Sequence, residues 1–135
     1  LVQAETALCS VTGPPGVPSK VGASICDIST GLTAYSEILK ALYNREKTSV
    51  GANIDLSLFG VLSEWMSVPL AYYEYGGKLL EGTGLDHAQV APYGKFDASD
   101  GSVFLVIQNH REWENFCTII LERPALANEE KFQDN

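Results

Sequence analysis

The chain is poor in the residues that build metal sites and covalent cross-links. It holds two histidines and three cysteines in 135 residues. Cys9, Cys26 and Cys117 are far apart, odd in number and without a C-x-x-C spacing, which argues against a disulfide scaffold and against a zinc site. A reducing compartment, the cytoplasm, fits best. Basic residues are scarce as well: nine Lys and Arg stand against 17 Asp and Glu, for a net charge of −8. That balance leaves no footprint for nucleic acid or an anionic membrane surface, so neither is expected as a partner. No long apolar run is unbroken. The longest, residues 56–75, is interrupted by Ser57, Gly60, Ser63, Glu64, Ser67, Pro69 and Glu74 and reads as packing helix, not a membrane span. The serines Ser24, Ser29 and Ser57 lack a G-x-S-x-G context, which disfavours a serine hydrolase. Gly82-x-Gly84 has no third glycine and no strand before it, so it fails as a dinucleotide fingerprint. An initiator methionine and a signal peptide pattern are also missing. The sequence opens Leu1-Val2-Gln3-Ala4 and closes Gln133-Asp134-Asn135, and is expected to be a piece of a longer protein.

What is present suits an ordinary globular chain, 45% apolar and long enough to bury a core. Residues 1–9 read as the end of a helix, and the Pro- and Gly-rich stretch 12–19 as a loop. Residues 21–25 read as a short buried strand or an extended run leading up to Asp27. A long helix is expected from about Ile28 to Glu46, because Ile28, Leu32, Tyr35, Ile38, Leu39, Leu42 and Tyr43 recur at three- and four-residue intervals. Lys40, Arg45 and Lys47 on its tail offset the negative end of the helix dipole. Asn53-Ile54-Asp55-Leu56-Ser57-Leu58 alternates polar and apolar and reads as a strand. A second helix should run from Phe59 to Tyr75, kinked or restarted at Pro69. Gly76-Gly77 and Gly82-Thr83-Gly84 mark a linker over residues 76–90, which divides residues 1–75 from 91–135. Beyond it, apolar runs on either side of a turn ending in Asp100-Gly101 predict a β-hairpin. Glu112, Trp113, Phe116, Cys117, Ile120 and Leu121 form a third amphipathic helix that Arg123-Pro124 stops. A short helix and a polar tail close the chain.

The residue with the most chemical promise is Asp27, where the run Val21-Gly22-Ala23-Ser24-Ile25-Cys26 meets the long helix. Two readings compete. As an N-cap, Asp27 would accept a hydrogen bond from a first-turn N–H group. As a reactive group, it would sit at the positive end of the helix dipole among small residues (Gly22, Ala23, Ser24, Gly31) that let a ligand approach, where an accessible carboxylate can act as nucleophile or base. Cys26 beside it reads as a small buried hydrophobe, ahead of a nucleophilic thiol at the helix N-terminus. His87, in Gly84-Leu85-Asp86-His87, lies on a loop of the kind that often binds substrate. His110, at the start of the third helix, reads as a surface or hydrogen-bonding residue.

A larger pattern runs through the chain. Gln3-Ala4, Thr12-Gly13, Pro18, Val21-Gly22, Asp27, Thr30-Gly31, Ala41-Leu42, Arg45-Glu46-Lys47-Thr48, Gly51, Ile54-Asp55-Leu56-Ser57-Leu58, Ala91-Pro92-Tyr93-Gly94, Asp100-Gly101, Glu112-Trp113 and Phe132-x-x-Asn135 occur in that order. The sequence resembles the class III CoA-transferases, the family of formyl-CoA transferase and carnitine CoA-transferase. The resemblance implies an α/β fold: part of a two-domain, interlocked architecture with long helices and a β-hairpin opening the small domain. Residues 1–75 would belong to the large CoA-binding domain and its connecting helices.

The resemblance further implies that Asp27 attacks an acyl-CoA thioester. A mixed anhydride and then an aspartyl-CoA thioester would follow before CoA passes to an acceptor carboxylate. CoA is then a substrate; no cofactor and no metal are expected. The family's run of consecutive glycines over the active site is missing, and the loop from Gly82 through His87 to Tyr93 looks more like the subgroup acting on small dicarboxylates such as succinate or mesaconate than like the enzymes using oxalate. On that basis His87 and Tyr93 are substrate-contact candidates. The resemblance also implies an interlocked homodimer in the full-length protein, and an isolated segment without activity. Two rivals remain. One is a 2-methylacyl-CoA racemase of the same superfamily, whose partner histidine would lie before Leu1. The other is a non-catalytic assembly module in which Asp27 only caps a helix.

Overall fold

The computed structural model describes residues 1–132, which fall into two compact units, Leu1–Gly84 and Leu85–Asn135, the second described as far as Phe132. Gln133, Asp134 and Asn135, and with them the expected polar tail and the end of the Phe132-x-x-Asn135 motif, lie outside the described residues.

The first unit is helical. Helix α1 (Val2–Glu5) is followed by a 3-10 turn, Leu8–Val11. Helix α2 (Ile25–Thr48) is the long helix that the apolar repeat predicts, and it starts three residues before Ile28. Its C-terminus closes on Ser49 in the left-handed region, whose N–H donates to the Arg45 carbonyl at 2.8 Å. Lys47 rests over the ring of Tyr43 in the last turn, and Lys40 pairs with Glu37 one turn away, side-chain pairs that favour the helical state.

Of the short strand or extended run expected over residues 21–25, the strand does not form. Its only β-like pairing comes from one side chain: the Gln3 amide accepts the Val21 N–H at 2.8 Å and donates to the Val21 carbonyl at 3.2 Å. The expected strand over residues 53–58 does not form either: residues 50–57 carry no regular structure and have no partner strand among the described residues, because alternation of side chains cannot supply a neighbour to bond with.

The second expected helix divides in two, α3 (Leu58–Trp65) and α4 (Ser67–Gly76), with Met66 between them. Pro69 explains the break. It has no N–H to give the Trp65 carbonyl four residues back, and it is tolerated where it falls, in the first turn of α4. Ser57 caps α3 by accepting the Gly60 N–H at 2.9 Å. Gly77 ends α4 in the left-handed conformation at φ 62°, with its N–H on the Tyr73 carbonyl at 2.9 Å, a geometry that glycine adopts without steric cost.

Helix α3 holds the core of this unit. Val61, Leu62 and Met66 are buried, Leu62 completely, and α3 packs against both α1 and α2. The glycine stretch after α4 is anchored to the loop before α2. Gly82 is buried, its N–H donates to Ser10 at 3.1 Å, and a Cβ there would run into the backbone of Thr12 and Gly13.

The second unit begins with a loop and the predicted hairpin, β1 (Tyr93–Ala98) and β2 (Gly101–Val106). The strands are antiparallel, from Tyr93 opposite Val106 to Ala98 opposite Gly101, so Ser99 and Asp100 form a two-residue connection. Among the described residues these are the only paired strands. Helix α5 (His110–Asn115) starts where expected and widens into a π turn at Phe116–Ile120, so the predicted third helix is shorter and less regular than its pattern suggests. Short 3-10 turns at Pro124–Asn128 and Glu130–Phe132 follow. Cys117 is fully buried and, with Ile107 and Ala127, forms the small core of this unit.

Candidate active site

The candidate nucleophile is in the first turn of α2. Ser24 occupies the N-cap position without making a side-chain capping bond, and Asp27 is the third residue of the helix. The capping reading of Asp27 is therefore corrected by geometry: its backbone is already helical, and its carboxylate bonds none of the described residues. The first turn has its own orphan donors, since no described carbonyl or side chain accepts the N–H groups of Cys26 and Asp27. Asp27 is exposed, as are Gly22, Ala23, Ser24 and Gly31, and a Cβ added to either glycine would meet nothing within 4 Å. Cys26, expected to be buried, is half-buried. Asp27 thus combines an unpaired carboxylate, two free N–H groups and uncrowded surroundings.

Two hydroxyls complete this turn. Ser29 donates to the Cys26 carbonyl at 3.1 Å and Thr30 donates to the same oxygen at 2.7 Å. Sequence reasoning missed them. In the sequence Thr30 reads only as part of a motif with Gly31, and Ser29 only as a nucleophile without its context. A serine and a threonine three and four residues after the same carbonyl are the signal that could have found them.

His87 and Tyr93, the other two candidates, lie together in the second unit. The His87 N–H donates to the Tyr93 carbonyl at 3.0 Å, and the two rings approach with centroids 4.9 Å apart. Nδ1 of His87 accepts the N–H groups of Gln89 and Val90, both at 3.1 Å. A nitrogen that accepts two donors carries no proton, so the ring is the Nε2–H tautomer in this arrangement, with Nε2 as its remaining donor. Tyr93 also meets Phe104 edge-to-face at 6.0 Å, which seats the ring against the hairpin. Gly94 lies under Asp86 so closely that a Cβ would collide with that carboxylate. Asp27 belongs to the other unit.

A separate groove of about 1100 Å³ opens in the second unit, lined by Phe96, Phe104, Trp113, Phe116, Leu121 and Phe132 among others. None of the three candidate residues lines it. Beside it, Asn109 accepts the Glu112 N–H at 3.1 Å while Glu112 accepts the Gln108 N–H at 2.8 Å, a reciprocal cap for α5. The Gln108 N–H first, and the Asn109 side chain after it, hold the Glu112 carboxyl below its ordinary range. Among the described residues no three His, Cys, Asp or Glu side chains converge as metal ligands would, and no helix is long and apolar enough to cross a membrane.

This helical segment with its exposed aspartate and following hairpin has counterparts. The sequence profile described as CoA-transferase family III matches residues 1–135. The chain belongs to CoA-transferase family III. It is 31% identical over 136 residues to the succinyl-CoA:glutarate CoA-transferase of Homo sapiens, with all of this chain and 31% of that protein covered. It is 32% identical over 137 residues to the acetyl-CoA:oxalate CoA-transferase of Acetobacter aceti, covering all of this chain and 35% of that one. Among solved structures, a CaiB/BaiF family protein from Brucella suis matches with a TM-score of 0.73 at 31% identity, over 99% of this chain and 35% of the other. The chain spans about a third of the length of the curated relatives it matches.

Proposed function

We propose that the protein containing this chain is a CoA-transferase that moves CoA from an acyl-CoA thioester to a small dicarboxylic acid, with Asp27 as nucleophile. The observation that carries the reading is the Asp27 carboxylate itself. In a member of this family it is exposed, unpaired and beside two unbonded N–H groups, where a capping residue would be engaged. An Oδ of Asp27 attacks the thioester carbonyl and CoA thiolate leaves, giving a mixed anhydride. The thiolate then attacks the aspartyl carbonyl, expels the donor acid as its carboxylate and leaves an aspartyl-CoA thioester. The acceptor carboxylate repeats the two exchanges in reverse and departs as the new acyl-CoA, with the Asp27 carboxylate restored. Splitting the transfer this way replaces one difficult exchange between a thioester and a free acid by covalent steps. Free N–H donors at the first turn suit the negative charge that builds on the carbonyl oxygen.

His87 and Tyr93 contact the acceptor acid in this reading, through Nε2–H and the phenol. The relatives named for glutarate and for oxalate are similar to this chain to nearly the same degree, so the choice of a dicarboxylate rests on their shared chemistry. Exposed apolar side chains along α2, among them Leu32, Tyr35 and Tyr43, support an assembly in which further polypeptide covers that face, as an interlocked homodimer would. Three free cysteines suit a reducing compartment such as the cytoplasm.

Trapping tests the reading. The complete gene product is incubated with succinyl-CoA, quenched with hydroxylamine and digested for mass spectrometry. An aspartyl hydroxamate at Asp27 is expected; a hydroxamate at another residue, or none while transfer to glutarate proceeds, overturns it.

A further inference from the structure

The only buried residue of α2 is a serine. Ser29 is 3% exposed, in a helix whose apolar side chains are largely exposed. Its hydroxyl and that of Thr30 converge on one acceptor, the Cys26 carbonyl, at 3.1 and 2.7 Å. Each bond alone has an ordinary explanation, because serine and threonine inside helices commonly donate to a carbonyl three or four residues back. Their convergence is less ordinary. The shared oxygen belongs to the peptide whose other end is the Asp27 N–H, and the helical ladder already directs the Thr30 N–H to that oxygen.

We infer that Ser29 and Thr30 are positioning residues for the Asp27 chemistry, an inference that rests on the proposed function. Two physical effects support it. Side-chain bonds from the next turn fix the plane of the Cys26–Asp27 peptide, and with it the direction in which the Asp27 side chain leaves the helix. A nucleophile held in one direction loses less entropy on reaching the transition state. Donors on the carbonyl also draw electron density toward the oxygen, which strengthens the N–H at the far end of the same peptide as a donor. That N–H is one of the two without a partner.

The experiment uses the complete gene product, with succinyl-CoA as donor and glutarate as acceptor. Thr30→Val keeps the shape and removes the hydroxyl; Thr30→Ser restores the hydroxyl and removes the methyl; Ser29→Ala removes the buried donor. The expected result is a fall in kcat of about tenfold for Thr30→Val, with KM for succinyl-CoA within about twofold of wild type. Thr30→Ser should recover kcat to within about twofold, and Ser29→Ala should lower kcat with KM equally unmoved. Wild-type kcat in Thr30→Val, or no recovery in Thr30→Ser while both proteins melt as wild type, overturns the inference. If Thr30→Val fails to fold, Ser29→Ala decides by the same split between kcat and KM. Hydroxylamine trapping of wild type separates the two levels. Label on Asp27 with wild-type kcat in the variants sinks the positioning role alone, and label elsewhere sinks the role of Asp27 and this inference with it.

Discussion

Replacing Asp27 by alanine should leave the protein folded and abolish transfer. The magnitude follows from where the residue sits. As the third residue of α2, with no hydrogen bond or ion pair to any described residue, its carboxylate stabilises the fold only through the helix dipole, about 0.3–1 kcal/mol. Alanine is the better helix former, by up to about 0.7 kcal/mol, which offsets most of that loss. The two terms leave a net change within about 0.5 kcal/mol of zero. A working N-cap would cost more, about 1–2 kcal/mol. On the proposed mechanism activity should respond on another scale, since deleting the nucleophile would remove the covalent pathway, and a fall of roughly 10³-fold or greater is expected. The assay pairs thermal unfolding with CoA transfer from succinyl-CoA to glutarate in the complete protein. A variant that loses more than about 1.5 kcal/mol of stability while keeping a tenth of its activity would show that the aspartate is architectural.

Leu62→Ala should destabilise the first unit by about 3 kcal/mol, toward the middle of the range for buried leucines, because the side chain is fully buried at the centre of a core that holds few others. Equilibrium unfolding in urea measures it, and a loss under about 1 kcal/mol would mean that α3 is not the centre of that core. The α5 cap should weaken in acid. The Glu112 carboxyl is held below its ordinary value of 4.5, chiefly by the Gln108 N–H. Its stabilising contribution is therefore present above that pH and lost as pH falls through the lower folded-state value. The protection of the Gln108 amide, its exchange rate taken relative to the intrinsic rate at each pH, should fall over that acid range in wild type and stay constant in Glu112→Gln.

Much of this architecture is written in local patterns. The three- and four-residue recurrence from Ile28 to Tyr43 marks α2, and Asp100-Gly101 between apolar runs marks the hairpin, because both elements close their hydrogen bonds among near neighbours. The ordered motifs around Asp27 and Ala91-Pro92-Tyr93-Gly94 point to the family. The misjudged elements depend on partners. Residues 53–58 alternate as a strand should, yet among the described residues no other strand lies beside them. Residues 21–25 look like a strand and receive a glutamine side chain in place of one. Asp27 reads as a cap when α2 is taken to begin at Ile28; the earlier start at Ile25 places it inside the first turn. The cap formed by Asn109 and Glu112 is legible as Asn-x-x-Glu, a signal that the apolar pattern alone does not carry.

The grip of Gln3 on Val21 has a consequence for the order of assembly. Those two bonds span 18 residues, whereas the body of α2 coils on contacts four residues apart. Closing so wide a loop costs entropy before any bond repays it, so the long helix can wind from its middle while its leading end waits for the N-terminal segment to dock. The stretch that leads into the rod is thereby tied to the opening segment by a long-range amide clasp.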